Sequence, residues 1–374
     1  MNIAVVCEAD PAKCPRPSRL ISHLKKTHNV TAIGRSATSI DGVKVLSYSP
    51  PKKRTLIQEC VLYWNVLWRR YEKLVYIPTR QIITEHLMSD DFDIIFCHDI
   101  KLLPIVIKFK KRAKVVFDAR EFYPGQMEDN LRWCILTKPF FEYLCKAYIP
   151  QVDYSYTVSC GIANLYRSYL DSNFDVLEST SHYFDLVPSV CSNKKIKLIH
   201  HGAAHRNREI HKMIEMMDFL DERFDLELML VLGQADYMLE LVKMCNARGN
   251  VSIVEPVANN EIVPVLNRYD VGVYLLSPTG RNTQYALPNK FFEFMQSRLA
   301  IAIGPSPDMK GIVEKYLMGV VSDDFSPRSL ANMINKLTDE KIMKFKQNSD
   351  KAAKVFNCKR HNNKIDAIIE AVTK

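Results

Sequence analysis

The chain has 374 residues, a formal net charge of +9, 47% hydrophobic and 25% charged residues. That length calls for two domains, and the composition is that of ordinary globular proteins, which excludes disordered and collagen-like chains. No apolar run reaches the roughly 18 residues of a membrane-spanning helix, and Met1-Asn2 leads directly into IAVVCEAD without a signal-peptide pattern, so a cytoplasmic protein is expected.

In chain order, the runs IAVVC, VTAI, VKVLSY, DIIFCHD, KVVFDA and DYSYTVS read as strands separated by helix-length segments. After residue 190 a second series follows: KLIHHG, LELMLVLG, VSIVEP, DVGVYLL, AIAIG and MGVVSD. Short apolar strands with little alternation suit parallel sheets buried on both faces, and the intervening helices suit right-handed crossovers. The expected fold class is α/β, with two Rossmann-like, doubly wound parallel-sheet domains. The helix after KLIHHG places Ile210, Met213, Ile214, Met217 and Leu220 three and four apart, one apolar stripe for packing on its sheet. Between the series, VPSVCSNKK reads as a linker by composition. The expected division is residues 1–188, residues 189–340, and helices at 341–374 that pack across both domains.

Ten cysteines lie singly, mostly in apolar runs such as DIIFCHD and FEYLCKAY, and read as reduced core residues. No C-x-x-C pair or compact Cys/His spacing points to a metal, and the pair His200-His201 reads as strand-end packing. The positive charge favours anionic partners. Six cations without an acid, Lys101, Lys108, Lys110, Lys111, Arg112 and Lys114, form either a solvated helix face or a contact with an anionic membrane surface. The run VLYWNVLWRRYEKLVYIP at 61–78 reads either as a core-packed helix with surface arginines or as an amphipathic contact with such a membrane. Nucleic acid is not expected, because the basic residues carry no interleaved aromatic platform.

The first strand is followed by CEADPAKCPRPSR, and the first glycine of the chain is Gly34. A dinucleotide fingerprint needs glycines at that place, which argues strongly against an NAD- or FAD-dependent oxidoreductase using the first domain. A P-loop lysine motif is also absent. Asp91 and Asp93 form a D-x-D that reads as polarity at a strand entry.

The clearest local chemistry is ALPNKFFEFMQSRLAIAIGPSP. Pro288 suits a first helical turn, and the helix is expected to run to about Arg298 with Phe291, Phe294, Met295 and Leu299 inward. Glu293 falls away from that stripe, where a carboxylate can accept both hydroxyls of a ribose diol. The N–H groups of Asn289 and Lys290, with the lysine charge, can meet phosphate oxygens. In HHGAAHRNREIHKM, Gly202 ends a strand, and Arg206 and Arg208 offer forked donors to a diphosphate. Both loops leave the carboxyl ends of parallel strands, where open sheets bind ligands.

With these residues in place, the second half resembles the donor domain of GT-B glycosyltransferases of the family 4 (group 1) type. The resemblance implies that Gly202 with Arg208 and Arg206 holds the diphosphate, and that Glu293 holds the ribose. LVLGQA around Gly233 and NVSIVEPV around Pro256 follow the family's rhythm, the latter supplying the nucleobase pocket. In the first half, DIIFCHDIKLLP with His98 and Asp99, and KVVFDAREFYP with Arg120 and Glu121, are similar to the family's H-D and D-x-H-E segments. Three departures stand out: Tyr285 where the E-x7-E pattern has its first Glu, Arg120 where D-x-H-E has His, and Arg298 or Leu299 where a Gly is usual.

The implied reaction moves a sugar from a nucleoside diphosphate sugar to an acceptor hydroxyl, in a cleft between the domains and with retention. No cofactor and no metal are expected, so Arg208, Lys290 and Arg206 must stabilise the leaving diphosphate. An inverting reaction would need a base, for which Glu121 and Asp99 are the candidates; His98 and Arg120 would lie on the acceptor side. The acceptor is expected to be a lipid-linked or growing surface glycan at the inner face of the cytoplasmic membrane. The rival readings are a sugar-nucleotide epimerase of GT-B layout and a catalytically silent scaffold.

Overall fold

The computed structural model describes residues 1–50, 55–190 and 195–374. Two compact units emerge: Met1–Glu178 with Gly280–Asn282 and Asn362–Lys374, and Ser179–Thr279 with Thr283–His361. Of the linker VPSVCSNKK, residues 191–194 lie outside the described residues. Its earlier part counts with the second unit, where Ser189 Oγ donates to the Asn267 carbonyl (2.6 Å) and Asn267 Nδ2 to that of Val187 (3.1 Å).

The first unit is built on seven strands: β1 (Asn2–Cys7), β2 (Asn29–Arg35), β3 (Lys44–Tyr48), β4 (Ile94–Cys97), β5 (Lys114–Ala119), β6 (Tyr154–Thr157) and β7 (Asp175–Val176). They pair in the order β3-β2-β1-β4-β5-β6-β7, every pairing parallel. All but β7 coincide with runs expected from the sequence; a two-residue strand carries no readable period. One face of the sheet gathers Ile3, Val5, Val30, Ile94, Phe96 and Val116 with Leu20, Ile21 and Leu24 of the helix Pro15–Leu24. Ile365, Ile368, Ile369 and Val372 of the closing helix Cys358–Thr373 join the same core.

The second unit holds β8 (Ile196–Ala203), β9 (Phe224–Val231), β10 (Val251–Val254), β11 (Val271–Tyr274), β12 (Ala300–Ile303) and β13 (Gly319–Val321), ordered β10-β9-β8-β11-β12-β13 and again all parallel. Alternation across the pleat divides its core. Leu198, Leu226, Ala300 and Ala302 face one layer with Met213 and Ile214, while Ile199, Ile301 and Ile303 face the other with Phe291, Phe294 and Met295. This explains why the strands read as continuous apolar runs.

In both sheets the winding reverses beside the first strand, between β1 and β4 and between β8 and β11. Such switch points open a crevice at the carboxyl ends of the strands, where open α/β sheets bind ligands. The cysteines divide: Cys7, Cys97, Cys145 and Cys245 are buried, but Cys60 and Cys160 are exposed, so the expectation of a uniform set of core residues fails for those two. Cys160 opens a helix and Cys60 sits on the outer side of one, where the sequence still looks apolar.

Candidate functional site: the switch point of the second unit

The strand β8 ends in His200, His201 and Gly202, directly at the reversal. His200 is fully buried. Its Nδ1–H donates to the Val273 carbonyl at 2.9 Å, which leaves Nε2 as an acceptor facing Lys290 Nζ at 3.2 Å. Burial first, and the Lys290 charge second, hold this imidazole well below its ordinary pKa, so it is neutral.

Lys290 is half-buried, with its ammonium 5.1 Å from the centre of the Tyr274 ring. Gly202 has φ +140°, and a Cβ there would stand 2.9 Å from Lys290 Nζ. Only glycine combines that backbone with that approach. Burial, then repulsion from Arg208, push the Lys290 ammonium down to about 7, with Glu293 pulling the other way. Arg208 ends a single 3-10 turn after β8, and its charge acts on the Tyr274 hydroxyl, whose pKa burial nevertheless raises. The two cations thus repel each other around the glycine, and an anion bound there would relieve the repulsion of both.

The helix Asn289–Gln296 carries Lys290 and Glu293. Pro288 is its N-cap, in extended conformation and without a side-chain cap bond, so it stands one position ahead of the expected first turn. Phe291, Phe292, Phe294 and Met295 are all buried, a wider apolar face than the stripe predicted. The helix lies close on β11 because Gly272 has no side chain; a Cβ would come within 2.5 Å of the Phe294 ring. Glu293 is partly exposed, and its Oε2 lies 3.2 Å from His201 Nε2. The helix ends at Gln296 rather than Arg298, since Arg298 adopts φ +57°. That left-handed position is the one where glycine is usual. Arg298 holds it by burying its guanidinium against Asp350 (Nε to Oδ1, 3.0 Å) and the Gln296 carbonyl.

Gly202, Arg208, Lys290 and Glu293 are therefore brought together, as expected. Arg206 is not. It is exposed, pairs with Glu240 (2.7 Å) and Asp236 (3.6 Å), and stacks over the Tyr237 ring. Two acids one helical turn apart outcompete the loop for this guanidinium, and their spacing could have been read in ADYMLE. Gly233 follows β9 against the Ala204 carbonyl and the His205 ring, and Pro256 is exposed beyond the end of β10. Asn289 is the exposed first residue of its helix.

Sequence reasoning missed His200, His201 and Tyr274 as parts of this site. It also missed a brace beside it. Glu209 Oε2 accepts from the Ser277 N–H at 2.8 Å, and Lys212 Nζ reaches Glu209 Oε1 at 3.0 Å and Ser277 Oγ at 2.5 Å. This ties the loop after β8 to the loop after β11. The readable signal for the histidines was their position at a strand end immediately before Gly202.

In the first unit, the residues named in H-D and D-x-R-E converge at the β1/β4 reversal. His98 Nδ1 lies 2.8 Å from Asp118 Oδ2, and Arg16 grips the same carboxylate with Nε (2.9 Å) and Nη2 (2.7 Å). Burial opposes ionisation of Asp118, yet Arg16 and His98 hold it well below the usual carboxylate range. Arg120 Nη2 meets Asp99 Oδ1 at 2.6 Å, and the Glu8 N–H donates to Asp99 Oδ2 at 2.8 Å. Burial raises the Asp99 pKa despite Arg120. Glu121 is pushed up to about 7 by burial, and its Oε1 accepts from Gln126 Nε2 at 2.6 Å.

Much of the 101–114 cluster is matched by acids: Lys101 with Glu8, Lys110 and Lys114 with Asp153, and Lys111 with Asp91. Asp93 accepts from the Asn2 N–H at 2.8 Å, at a strand entry.

No protein-family model matches the chain, and no curated protein matches it. Solved structures do resemble it. A sucrose-phosphate synthase from Thermosynechococcus elongatus is 10% identical, with all of this chain and 99% of that one covered at a TM-score of 0.78. HepE of Anabaena, crystallised with UDP and glucose, is 14% identical over 99% of this chain and 100% of its own, at a TM-score of 0.67. WaaG, a glycosyltransferase involved in lipopolysaccharide biosynthesis, is 12% identical over 98% and 99%, at a TM-score of 0.68. With two all-parallel sheets that each reverse beside their first strand, this chain has the two-domain, Rossmann-like GT-B fold.

Proposed function

We propose that this protein is a glycosyltransferase that moves a sugar from a nucleoside diphosphate sugar to an acceptor hydroxyl. The single observation that carries this reading is the convergence of Gly202, Arg208, Lys290 and Glu293 at the β8/β11 switch point. A similarly folded protein crystallised with UDP and glucose supports it.

In this reading Glu293 accepts the ribose hydroxyls and the loop after β8 receives the diphosphate. The bond from the anomeric carbon to the diphosphate oxygen breaks as the bond to the acceptor oxygen forms, and the acceptor proton passes to the departing phosphate. Arg208 and Lys290 stabilise the charge that develops there, which needs no metal ion, and the anomeric configuration is retained. His98 and Arg120 are the acceptor-side groups, and Glu121 or Asp99 would serve as base only if the reaction inverted. The acceptor is a lipid-linked or growing surface glycan.

Incubation with a panel of nucleoside diphosphate sugars and candidate acceptors tests this. Transfer must require the acceptor, survive a chelator, and give a glycoside whose anomeric proton coupling matches the donor's. A changed sugar nucleotide formed without acceptor would identify an epimerase instead. No turnover in any combination would favour a scaffold.

A further inference from the structure

The helix Leu56–Leu67 leaves an apolar face uncovered. Leu56, Ile57, Val61, Trp64, Leu67 and the following Trp68 are between 53% and 87% exposed. At 3.6 residues per turn these six fall within an arc of about 140°. The opposite side points inward through buried Asn65 and Val66. The helix is also stabilised locally: Thr55 and Gln58 form a capping box, with the Gln58 N–H donating to Thr55 Oγ1 at 3.3 Å and the Thr55 N–H to Gln58 Oε1 at 3.0 Å. The neighbouring helix Leu131–Leu136 adds exposed Leu131 and Ile135, and is tied in by Arg132, which sits 5.6 Å from the Tyr63 ring centre.

We infer that this face is a docking surface for an anionic lipid bilayer, into whose headgroup region it lays the two tryptophans. Charge selects this occupant. The helix is followed by the exposed cations Arg69, Arg70 and Lys73, and the neighbouring helix adds Arg132, against Glu59 and Glu72. Exposed cations at the end of an apolar, tryptophan-bearing face match an anionic surface with an apolar interior. A second copy offers no complementary charge, since its own face carries the same excess of cations. The twelve-residue helix is too short to cross a bilayer, so it lies in the plane.

The surface differs from the 101–114 cluster, much of whose charge is matched internally. It gives the proposed membrane-borne acceptor a place of contact and rests on that reading for its purpose only, because lipid binding can be measured without donor or acceptor.

The test uses the full chain with vesicles of phosphatidylcholine alone or with phosphatidylglycerol. Two of the three tryptophans lie on the face, and Trp133 is buried. Their emission should shift to the blue with anionic vesicles, be quenched by brominated acyl chains, and revert at high salt. The double variant Ile57→Ser with Leu67→Ser keeps both reporters and should melt as the parent does. It should lose vesicle partitioning by about ten-fold or more. Wild-type protein that ignores anionic vesicles, or a double variant that partitions equally, overturns the inference. So does wild-type self-association that the double variant abolishes, which would make the occupant a second copy. Nucleotide binding unchanged in the double variant separates failure here from failure of the proposed activity.

Discussion

Lys290 is the residue on which the charge argument turns. Its ammonium is pushed down to about 7 by burial and Arg208. A bound diphosphate adds negative charge and must raise that value, so binding takes up a proton once the pH exceeds about 7. Nucleoside diphosphate affinity should therefore weaken as pH rises above 7, by at most about ten-fold per unit. Calorimetry in buffers of different ionisation enthalpy should show the uptake, and Lys290→Arg should flatten the pH dependence. A slope unchanged by Lys290→Arg would assign the proton elsewhere. Gly202→Ala places a methyl group 2.9 Å from Lys290 Nζ at a backbone angle that disfavours it, and should cost donor affinity by about ten-fold or more. At this scale the sequence was legible in placement, since Glu293, Lys290, Arg208 and Gly202 come together at one switch point. It was illegible where partners decided. His200 looked like core and is core, yet its free nitrogen seats Lys290, while Arg206 looked like a phosphate ligand and is held by Glu240 and Asp236.

Among the elements, the helix Asn289–Gln296 is placed by bulk on one side and a missing side chain on the other. Gly272→Ala should push Phe294 off β11 and cost about 1–3 kcal/mol of stability in chemical unfolding, with weaker nucleotide binding as the helix carrying Glu293 shifts. The helix Asp339–Val355 is anchored by a buried cation: Lys346 Nζ meets Ser189 Oγ and the Tyr269 carbonyl at 2.8 Å each and Asp270 Oδ1 at 3.2 Å. Lys346→Met leaves Asp270 buried without its counter-ion and should destabilise by about 3–5 kcal/mol, while donor affinity in the folded fraction stays as before. A loss of binding at unchanged stability would contradict that division of labour. Strand positions were readable because both faces of each sheet are buried and the runs are uniformly apolar. Helix ends were less so: Arg298 occupies a glycine-like position that its ion pair with Asp350 makes tenable, and sequence carries no sign of a partner 52 residues away.

At the scale of the whole molecule, chain order decides where function can lie. Each sheet reverses beside its first strand, so the loops after β1 and β4, and after β8 and β11, were selected for chemistry before any side chain was considered. The alternation of strand and helix patterns foretold this winding, and the lack of glycine before Gly34 argued against a dinucleotide fingerprint in the first unit. The sequence does not distinguish sugars or nucleobases, because such selectivity rests on loop shape rather than on residue type. The most direct test of the central claim is calorimetric titration of the protein with a panel of nucleoside diphosphates, repeated on Arg208→Ala and Glu293→Ala variants whose melting curves match the parent. The account predicts that at least one diphosphate binds and that each variant weakens it by about ten-fold or more, as loss of a charge-assisted hydrogen bond requires. Binding of no diphosphate, or equal binding by both variants, would contradict it.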